Sequence, residues 1–307
     1  MHQTSATILL QGLLHAGYDA NRQERMSNEL KERYFCAHYG SSPAVLANVW
    51  NDLCDTDIVE ATIPQNERNC GGLKMFLVAQ FYLWNKPRNA IVLSSRFWIA
   101  ESRAQGESLW KWINRVAALK AVKIAWDEAL DDPDNEIFIV SLDGVDFKTR
   151  EEVHPRYPVD PQMRSHKMNH AAWKYEIALA IFWERIVFAS GPEKASVHDM
   201  TMFRNNGLKA KMLQLPGKMI IGDGGYQTAE PDEINMISTP NPVDPEGLRN
   251  FKSRVRLRHE TINSRMKQYA ILKHGFELGK ERHASCFYAV LVMIQYKMDH
   301  GSYLYRP

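Results

Sequence analysis

The sequence predicts an α/β protein, in which a mixed sheet with flanking helices follows an all-helical N-terminal region. Two stretches of the second half predict the sheet. Glu136 to Leu142 is an unbroken β-branched and aromatic run, typical of a strand covered on both faces, and Trp173 to Ile181 alternates as a half-buried strand does. Before about residue 125, apolar residues instead recur at helical spacing. Strands, then helices with a further strand between them, indicate a mixed sheet.

The N-terminal region contains a pair of predicted helices with the shape of a helix-turn-helix. The first helix, Asn28 to Tyr39, is stopped by Gly40. Ser42 can then cap a second helix, with Pro43 at its first position. Two helices joined by a four-residue turn are typical of a helix-turn-helix unit.

A second helical group follows in the same region. Its predicted helices are Gly72 to Trp84, Ala90 to Phe97 and Ser108 to Ala118. The third helix would present a basic face that suits contact with DNA, although three helices can also pack together without binding DNA. Both interpretations stay open. The basic residues of this face are Lys111, Arg115 and Lys120.

An acidic segment separates the two halves of the chain. Asp127 to Glu136 holds six acidic residues in ten, with Pro133 among them, which is typical of a solvated connector. We therefore predict a helical DNA-binding or assembly domain at residues 1–130 and a catalytic domain at residues 131–307.

Three acidic residues in the second half carry the functional hypothesis. Asp143 follows the first predicted strand, Asp223 follows the predicted strand Lys218 to Gly222, and Glu260 interrupts the apolar stripe of a long helix. Phosphodiester cleavage with two Mg²⁺ ions about 4 Å apart needs carboxylates from separate elements. We predict that these three carboxylates converge to within roughly 4–7 Å around divalent metal.

Each of these acids also has a simpler interpretation. Asp143 and the glycine after it could form a hairpin turn, and Asp146 competes with Asp143 as the first ligand. Asp223 precedes two glycines and could belong to a turn alone. Glu260 has partners for a side-chain contact one helical turn away.

A basic strip accompanies the third acid. Between Leu248 and Arg282 there are ten Lys or Arg and three acidic residues, although the whole chain carries a formal net charge of only +2. Such a strip favours binding to phosphates that weakens with salt, whereas a solvated helix face is the simpler alternative. The predicted DNA contacts are Arg254, Arg258, Arg265 and Lys267, together with Lys167 and Lys174.

Several motifs of the second half resemble the Asp-Asp-Glu transposase superfamily, specifically its Harbinger-like DDE superfamily endonucleases. The resemblance covers roughly Phe138 to Gln295 and rests on the order and spacing of the motifs. They are Leu142 to Asp146, Lys167 with Ala172 to Glu176, Gly191-Pro192 with His198-Asp199, Gly222 to Tyr226, and Arg258 to Asn263 followed by Lys267.

This resemblance implies a ribonuclease-H-like fold and cleavage and joining of double-stranded DNA with two Mg²⁺ or Mn²⁺ ions. It assigns the metal ligands to Asp143, Asp223 and Glu260. Asn263, His198 and Asp199 are expected beside the ligands, although Asp199 could only cap a helix and His198 could contact DNA. A homodimer and a separate DNA-binding accessory protein are further expectations.

Other features bound these hypotheses. The four cysteines form no zinc-ligand pattern, no apolar run approaches the roughly 18 residues of a membrane span, and the first residues lack a signal-peptide pattern. We therefore expect an intracellular, nuclear protein without a membrane segment. The rival hypotheses are a transposase-derived DNA-binding protein without catalysis and a hydrolase of the same fold that acts on RNA.

Overall fold

The structure, a computed structural model, describes residues 1–126, 130, 137–150 and 160–307. The chain divides into two compact units. The first comprises Met1–Lys123, Met266–His274 and Glu281–His300, and the second comprises Ile124–Arg265, Gly275–Lys280 and Gly301–Pro307. Except for Leu130, the acidic segment 127–136 lies outside the described residues, and the domain assignment 1–130 and 131–307 stays a prediction.

The N-terminal part of the first unit is helical, as predicted. Ser42 caps its fourth helix by accepting a hydrogen bond from the Val45 amide at 3.3 Å, and Gly40 ends the preceding helix at a left-handed φ of 68°. The helices are α1 (Ser5–His15), α2 (Ala20–Glu24), α3 (Asn28–Tyr39), α4 (Pro43–Asp55), α5 (Cys70–Asn85), α6 (Ala90–Phe97), α7 (Glu101–Gln105), α8 (Glu107–Ala118) and α9 (Lys120–Lys123).

Helix α8 presents less of a basic face than the sequence suggested, because only Lys111 of its two predicted cations is exposed, and Lys120, also exposed, lies in α9. The Arg115 side chain is buried, and it donates to the Glu67 carboxylate at 2.8 Å. Lys111 donates to the same carboxylate at 2.6 Å, and the Lys120 ammonium lies 3.7 Å from the centroid of the Tyr288 ring. These cations therefore stabilise the first unit internally, and the helix-turn-helix interpretation stays a prediction.

In the described residues, the second unit is built on a mixed sheet of six strands. Strand β1 pairs antiparallel with β3 and parallel with β5, β3 also pairs antiparallel with β2 and β4, and β5 pairs parallel with β6. This topology confirms the predicted mixed sheet. The strands are β1 (Phe138–Lys148), β2 (Arg164–Ser165), β3 (His170–Ala180), β4 (Ile186–Lys194), β5 (Met219–Ile221) and β6 (Ile237–Ser238).

Helices cover both faces of this sheet. Val140 and Leu142 of β1 pack with Phe203 on one face. On the other face Ile221 of β5 packs with Val255. Ser141 pairs in register with Ile221, and because side chains alternate along a strand, Ser141 and Asp143 face the same side as Ile221. The helices concerned are α10 (Asp199–Asn205), α11 (Leu208–Met212), α12 (Pro231–Ile234) and α13 (Glu246–Gln268), and α14 (Ala270–Lys273) and α15 (Lys280–Asp299) complete the chain.

Two strand predictions need correction. β1 continues through Asp143 to Lys148, so Asp143 lies within a strand, and the hairpin-turn interpretation of Asp143-Gly144 is wrong. The predicted half-buried strand is β3, but nearly all of its residues from Tyr175 onwards are buried. It lies between β1 and β4 with both faces covered, so the alternation of Trp173 to Ile181 does not mark a solvent-exposed face.

Arg258 of α13 is also misassigned by the sequence interpretation, which made it a DNA contact. Its side chain is 1% exposed, so it cannot reach a phosphate. The guanidinium donates to the backbone oxygens of Ala180 at 2.9 Å and Trp183 at 2.8 Å, and to that of Ile181. Burial lowers the pKa of Arg258 to about 10, and these carbonyls accept hydrogen bonds from its two terminal nitrogens. Arg258 therefore holds the turn between β3 and β4 against α13.

In the part of the chain that the structure describes, no helix combines the length and the apolar character needed to cross a membrane.

Candidate active site

Strand register brings Asp143 and Asp223 together. Ser141 of β1 pairs in parallel with Ile221 of β5. Asp143 lies two residues beyond Ser141, and Asp223 lies two residues beyond Ile221, directly after β5 ends. Because side chains repeat every two residues and parallel neighbours run in the same direction, both carboxylates lie towards the α13 face at one end of β5.

The electrostatics of Asp143 reflect this proximity. Its pKa is raised, first by burial and then by the negative charge of Asp223, with a smaller contribution from Asp199. The nearby Lys167 cation and a hydrogen bond from Asn263 act in the opposite direction. Two neighbouring carboxylates in a partly desolvated position repel each other, and a divalent cation would relieve that repulsion.

Helix α13 contacts this part of β1 through residues one helical turn apart. The His259 ring nitrogen Nε2 is 2.9 Å from the Ser141 hydroxyl, and Asn263 Nδ2 donates to Asp143 Oδ2 at 3.2 Å. Alternate residues of the strand thus meet residues i and i+4 of the helix. Burial lowers the pKa of His259 to about 3, so its ring is neutral and serves as a packing and hydrogen-bonding group.

Glu260, the third predicted ligand, lies beside these contacts. It follows His259 and precedes Asn263 by three positions, which places it on the neighbouring strip of α13. Its side chain is exposed, whereas His259 is buried. Glu260 and Asp223 both act on the pKa of His259, in the direction expected of nearby negative charges.

The chemistry of the donors suits a hard divalent cation, but the geometry is not that of a closed metal site. Asp143 and Asp223 supply carboxylate oxygens, which Mg²⁺ and Mn²⁺ prefer. Within residues 1–126, 130, 137–150 and 160–307, no group of three or more His, Cys, Asp or Glu is gathered so that it could hold an ion. The convergence of all three carboxylates therefore stays a prediction.

A buried carboxyl group that the sequence interpretation gave no role lies on the opposite face of the sheet. Glu176 of β3 pairs in register with Gly144 and is 0% exposed. Its Oε1 accepts from the Tyr226 hydroxyl at 3.1 Å and its Oε2 from the Ser190 hydroxyl at 3.4 Å. Burial raises the pKa of Glu176 to about 8, and the charge of Asp199 acts in the same direction. In the sequence, this buried carboxyl group could have been found as a lone acidic residue within a mostly apolar strand.

Asp146, the competitor of Asp143, is occupied elsewhere. Three positions along a strand reverse the side-chain direction, so Asp146 lies on the face opposite Asp143. It is buried and accepts a hydrogen bond from the Ser165 hydroxyl of β2 at 2.5 Å. This geometry favours Asp143 over Asp146 as a ligand.

The other residues predicted to bind DNA differ in accessibility. Lys167 is exposed and lies close enough to Asp143 to lower its pKa, and Lys267 is also exposed. Arg254 donates to the Arg306 oxygen at 3.0 Å, and Arg265 donates to the Ser302 oxygen at 2.7 Å and to the Tyr303 oxygen at 2.9 Å. These two guanidiniums hold the segment after Gly301 and are only partly available to phosphates.

His198 and Asp199 lie at the start of α10, and Lys174 of β3 contacts Asp199. Lys174 is 11% exposed and donates to Asp199 Oδ1 at 3.2 Å and to the Val197 oxygen at 2.7 Å, so its ammonium group is engaged within the unit, and its contact with DNA stays a prediction. His198 is exposed and precedes the helix, without a capping hydrogen bond from its side chain. Asp199 begins the helix, and its carboxylate lies against Gly144 and Gly225, which follow Asp143 and Asp223 in the sequence.

Comparison with protein families adds a finding that is independent of this geometry. Residues 156–295 match the model of a family described as DDE superfamily endonuclease. The matched segment is less than half of the chain, and it includes Asp223 and Glu260 but begins after Asp143. Over this segment the chain is similar to DDE superfamily endonucleases; the narrower Harbinger-like assignment stays a prediction.

Other comparisons add little to this family match. A search of curated proteins gives no match. Among solved structures, the chain matches one titled "Crystal structure of a pre-cleavage Mos1 transpososome", with 7% sequence identity, 96% of this chain and 99% of that chain covered, and a TM-score of 0.14. A TM-score this low carries no argument about the fold.

Proposed function

We propose that this protein is a divalent-cation-dependent DNA endonuclease of the DDE type, related to transposases, with a ribonuclease-H-like second unit. The observation that carries the proposal is the parallel pairing of β1 and β5, which brings the partly buried Asp143 close to Asp223. The match of residues 156–295 to DDE superfamily endonucleases supports the same activity.

In this proposal Asp143, Asp223 and Glu260 hold two Mg²⁺ or Mn²⁺ ions. When bound, the ions supply Lewis acidity at the phosphate and lower the pKa of the attacking water. Asn263 orients the Asp143 carboxylate through its hydrogen bond, and the exposed Glu260 would supply the third carboxylate. In a full transposase, the 3′-OH released by cleavage would attack a target strand.

Delivery of DNA to the site rests on the exposed cations around it. Lys167 lies within electrostatic range of Asp143 and would pair with the phosphate next to the scissile bond. Lys267 would add to the same attraction, with smaller contributions from Arg254 and Arg265. A nuclear location, a homodimer and an accessory DNA-binding protein complete the proposal as expectations from the resemblance.

A plasmid-nicking assay tests the proposed activity. Wild-type protein is expected to convert supercoiled plasmid to the nicked form with Mg²⁺ or Mn²⁺ and not with EDTA. Asp223→Asn should abolish the cleavage. Asp232→Asn, which removes an exposed acid of the same unit, should leave it intact and so controls for general charge effects.

The alternative is a DNA-binding protein without catalysis. The observation that favours it is the exposed Glu260, which is not gathered with the two aspartates in the described residues. This alternative predicts equal DNA binding with and without Mg²⁺ and no nicking by any preparation. Cleavage of RNA in preference to DNA in a competition assay would instead favour the RNA hydrolase.

A further inference from the structure

Asp199 is a largely buried acid of the second unit that is not one of the three proposed cation ligands. It begins α10 on the face of the sheet opposite α13, and its side chain is 13% exposed. A carboxylate so far removed from water needs a compensating charge. Lys174 supplies that charge at 3.2 Å, is itself 11% exposed, and is fixed by a second hydrogen bond to the Val197 oxygen.

The Asp199 carboxylate lies against two glycines, and each glycine belongs to a segment that carries a predicted ligand. A Cβ atom at Gly144 would lie 2.7 Å from Asp199 Oδ1, and a Cβ atom at Gly225 would lie 2.2 Å from Asp199 Oδ2. Both distances are far below van der Waals contact. Neither glycine has a left-handed φ, so the close approach of Asp199, and not backbone conformation, requires glycine at these positions.

The Asp199 carboxylate therefore packs between the backbone that follows Asp143 and the backbone that follows Asp223. The second of these segments is held locally as well, because Asp223 Oδ1 accepts from the Gly225 amide at 2.9 Å. A shift of Asp199 would move Gly225, and with it the turn that orients the Asp223 side chain.

We propose that Asp199, fixed by Lys174, is a positioning residue that sets the separation of Asp143 and Asp223 and thereby the affinity of the site for divalent cations. This inference rests on the proposed function. In this proposal Asp199 acts through Gly144 and Gly225 and not as a ligand of the cation. Residues that orient metal ligands without binding the metal typically change affinity about 10–100-fold.

Mn²⁺ binding, measured by electron paramagnetic resonance well below Tm, tests this role without relying on activity. Asp199→Asn keeps the shape of the side chain but removes its charge, and it is expected to weaken Mn²⁺ binding about 10-fold or more. Lys174→Met should weaken binding similarly. The double variant should be no weaker than the single ones, because the pair acts as one unit.

A matched pair of glycine variants separates positioning from general stability. Gly225→Ala should weaken Mn²⁺ binding as Asp199→Asn does, because the new methyl group would lie 2.2 Å from Asp199 Oδ2 and displace that carboxylate. Because the same methyl group would also lie 3.1 Å from Asp223 Oδ1, Gly144→Ala, whose Cβ atom would meet Asp199 Oδ1 at 2.7 Å, is the second variant and should weaken binding similarly. Gly224→Ala should leave binding unchanged, since a Cβ atom there has nothing within 4 Å and the backbone is not left-handed.

The outcomes distinguish this inference from the proposed function. Wild-type protein that does not bind Mn²⁺ at all would contradict the proposed function. Wild-type protein that binds Mn²⁺, with Asp199→Asn and Gly225→Ala binding equally well, would overturn the positioning role and leave the proposed function standing. Equal weakening by Gly225→Ala and Gly224→Ala would also overturn it.

Discussion

Asp143→Asn is expected to lower metal-dependent nicking by about 10²–10³-fold while raising the thermal stability of the cation-free protein. The loss follows from the removal of a negative ligand. The gain follows from the raised pKa of Asp143, which burial and the neighbouring Asp223 charge both cause. Asparagine keeps the shape and can still accept the hydrogen bond from Asn263, but it relieves the repulsion.

The pH dependence of this stability gain follows from the sign of the shift. An acid whose pKa is higher in the folded than in the unfolded state destabilises the fold as pH rises above its unfolded pKa. The Tm advantage of Asp143→Asn should therefore be absent in acid and grow towards neutral pH. Thermal unfolding in EDTA, with Asp232→Asn as the matched control, measures it. Full nicking activity, or a Tm below that of the wild type at neutral pH, would contradict this interpretation.

Glu176→Gln is expected to produce a large pH-dependent gain in stability. The pKa of Glu176 is about 8 in the folded protein, against an ordinary value of 4.5, mainly because the group is buried. By the equivalence of about 1.4 kcal/mol per pKa unit, ionisation of this group costs the fold roughly 4–5 kcal/mol above pH 8. Glutamine avoids this cost and can still accept the Tyr226 hydrogen bond.

The sign and the pH window are specific. Below pH 4.5 the two proteins should have similar stability. The free energy of unfolding of Glu176→Gln should exceed that of the wild type increasingly between pH 4.5 and pH 8, and the difference should level off above pH 8. Urea unfolding at several pH values measures the difference, and Glu277→Gln, at an exposed position of the same unit, should show no such trend. A constant difference across this range would mean that Glu176 titrates normally.

The sequence contains enough information for the class of fold and for the order of its elements. Helix caps such as Ser42-Pro43 and apolar runs such as Met219 to Ile221 act locally, so their patterns can be interpreted without a structure. The extent of β1 beyond Asp143 is not local in this sense. It depends on pairing with β3, which extends the strand through a sequence that otherwise suggests a turn.

The sequence does not indicate which charged residues are available to bind DNA. Arg258 and Lys174 are cations of the type that binds phosphates, yet both form hydrogen bonds with partners distant in sequence. The partners are carbonyls 75 to 78 positions away for Arg258 and a carboxylate 25 positions away for Lys174. The burial of Glu176 also depends on tertiary structure, because this residue pairs with a glycine of another strand. Only the tertiary structure decides which cations stay available to phosphates.

Mn²⁺ titration of the wild type and of Asp143→Asn, Asp223→Asn and Glu260→Gln measures whether three acids from two neighbouring strand segments and one helix share divalent cations. We expect saturable binding by the wild type and weakening of about 10-fold or more in each variant. Unchanged binding by Glu260→Gln, with weakening in the two aspartate variants, would remove the third acid from the site. Absence of saturable binding by the wild type would contradict both the cation site and the proposed endonuclease activity.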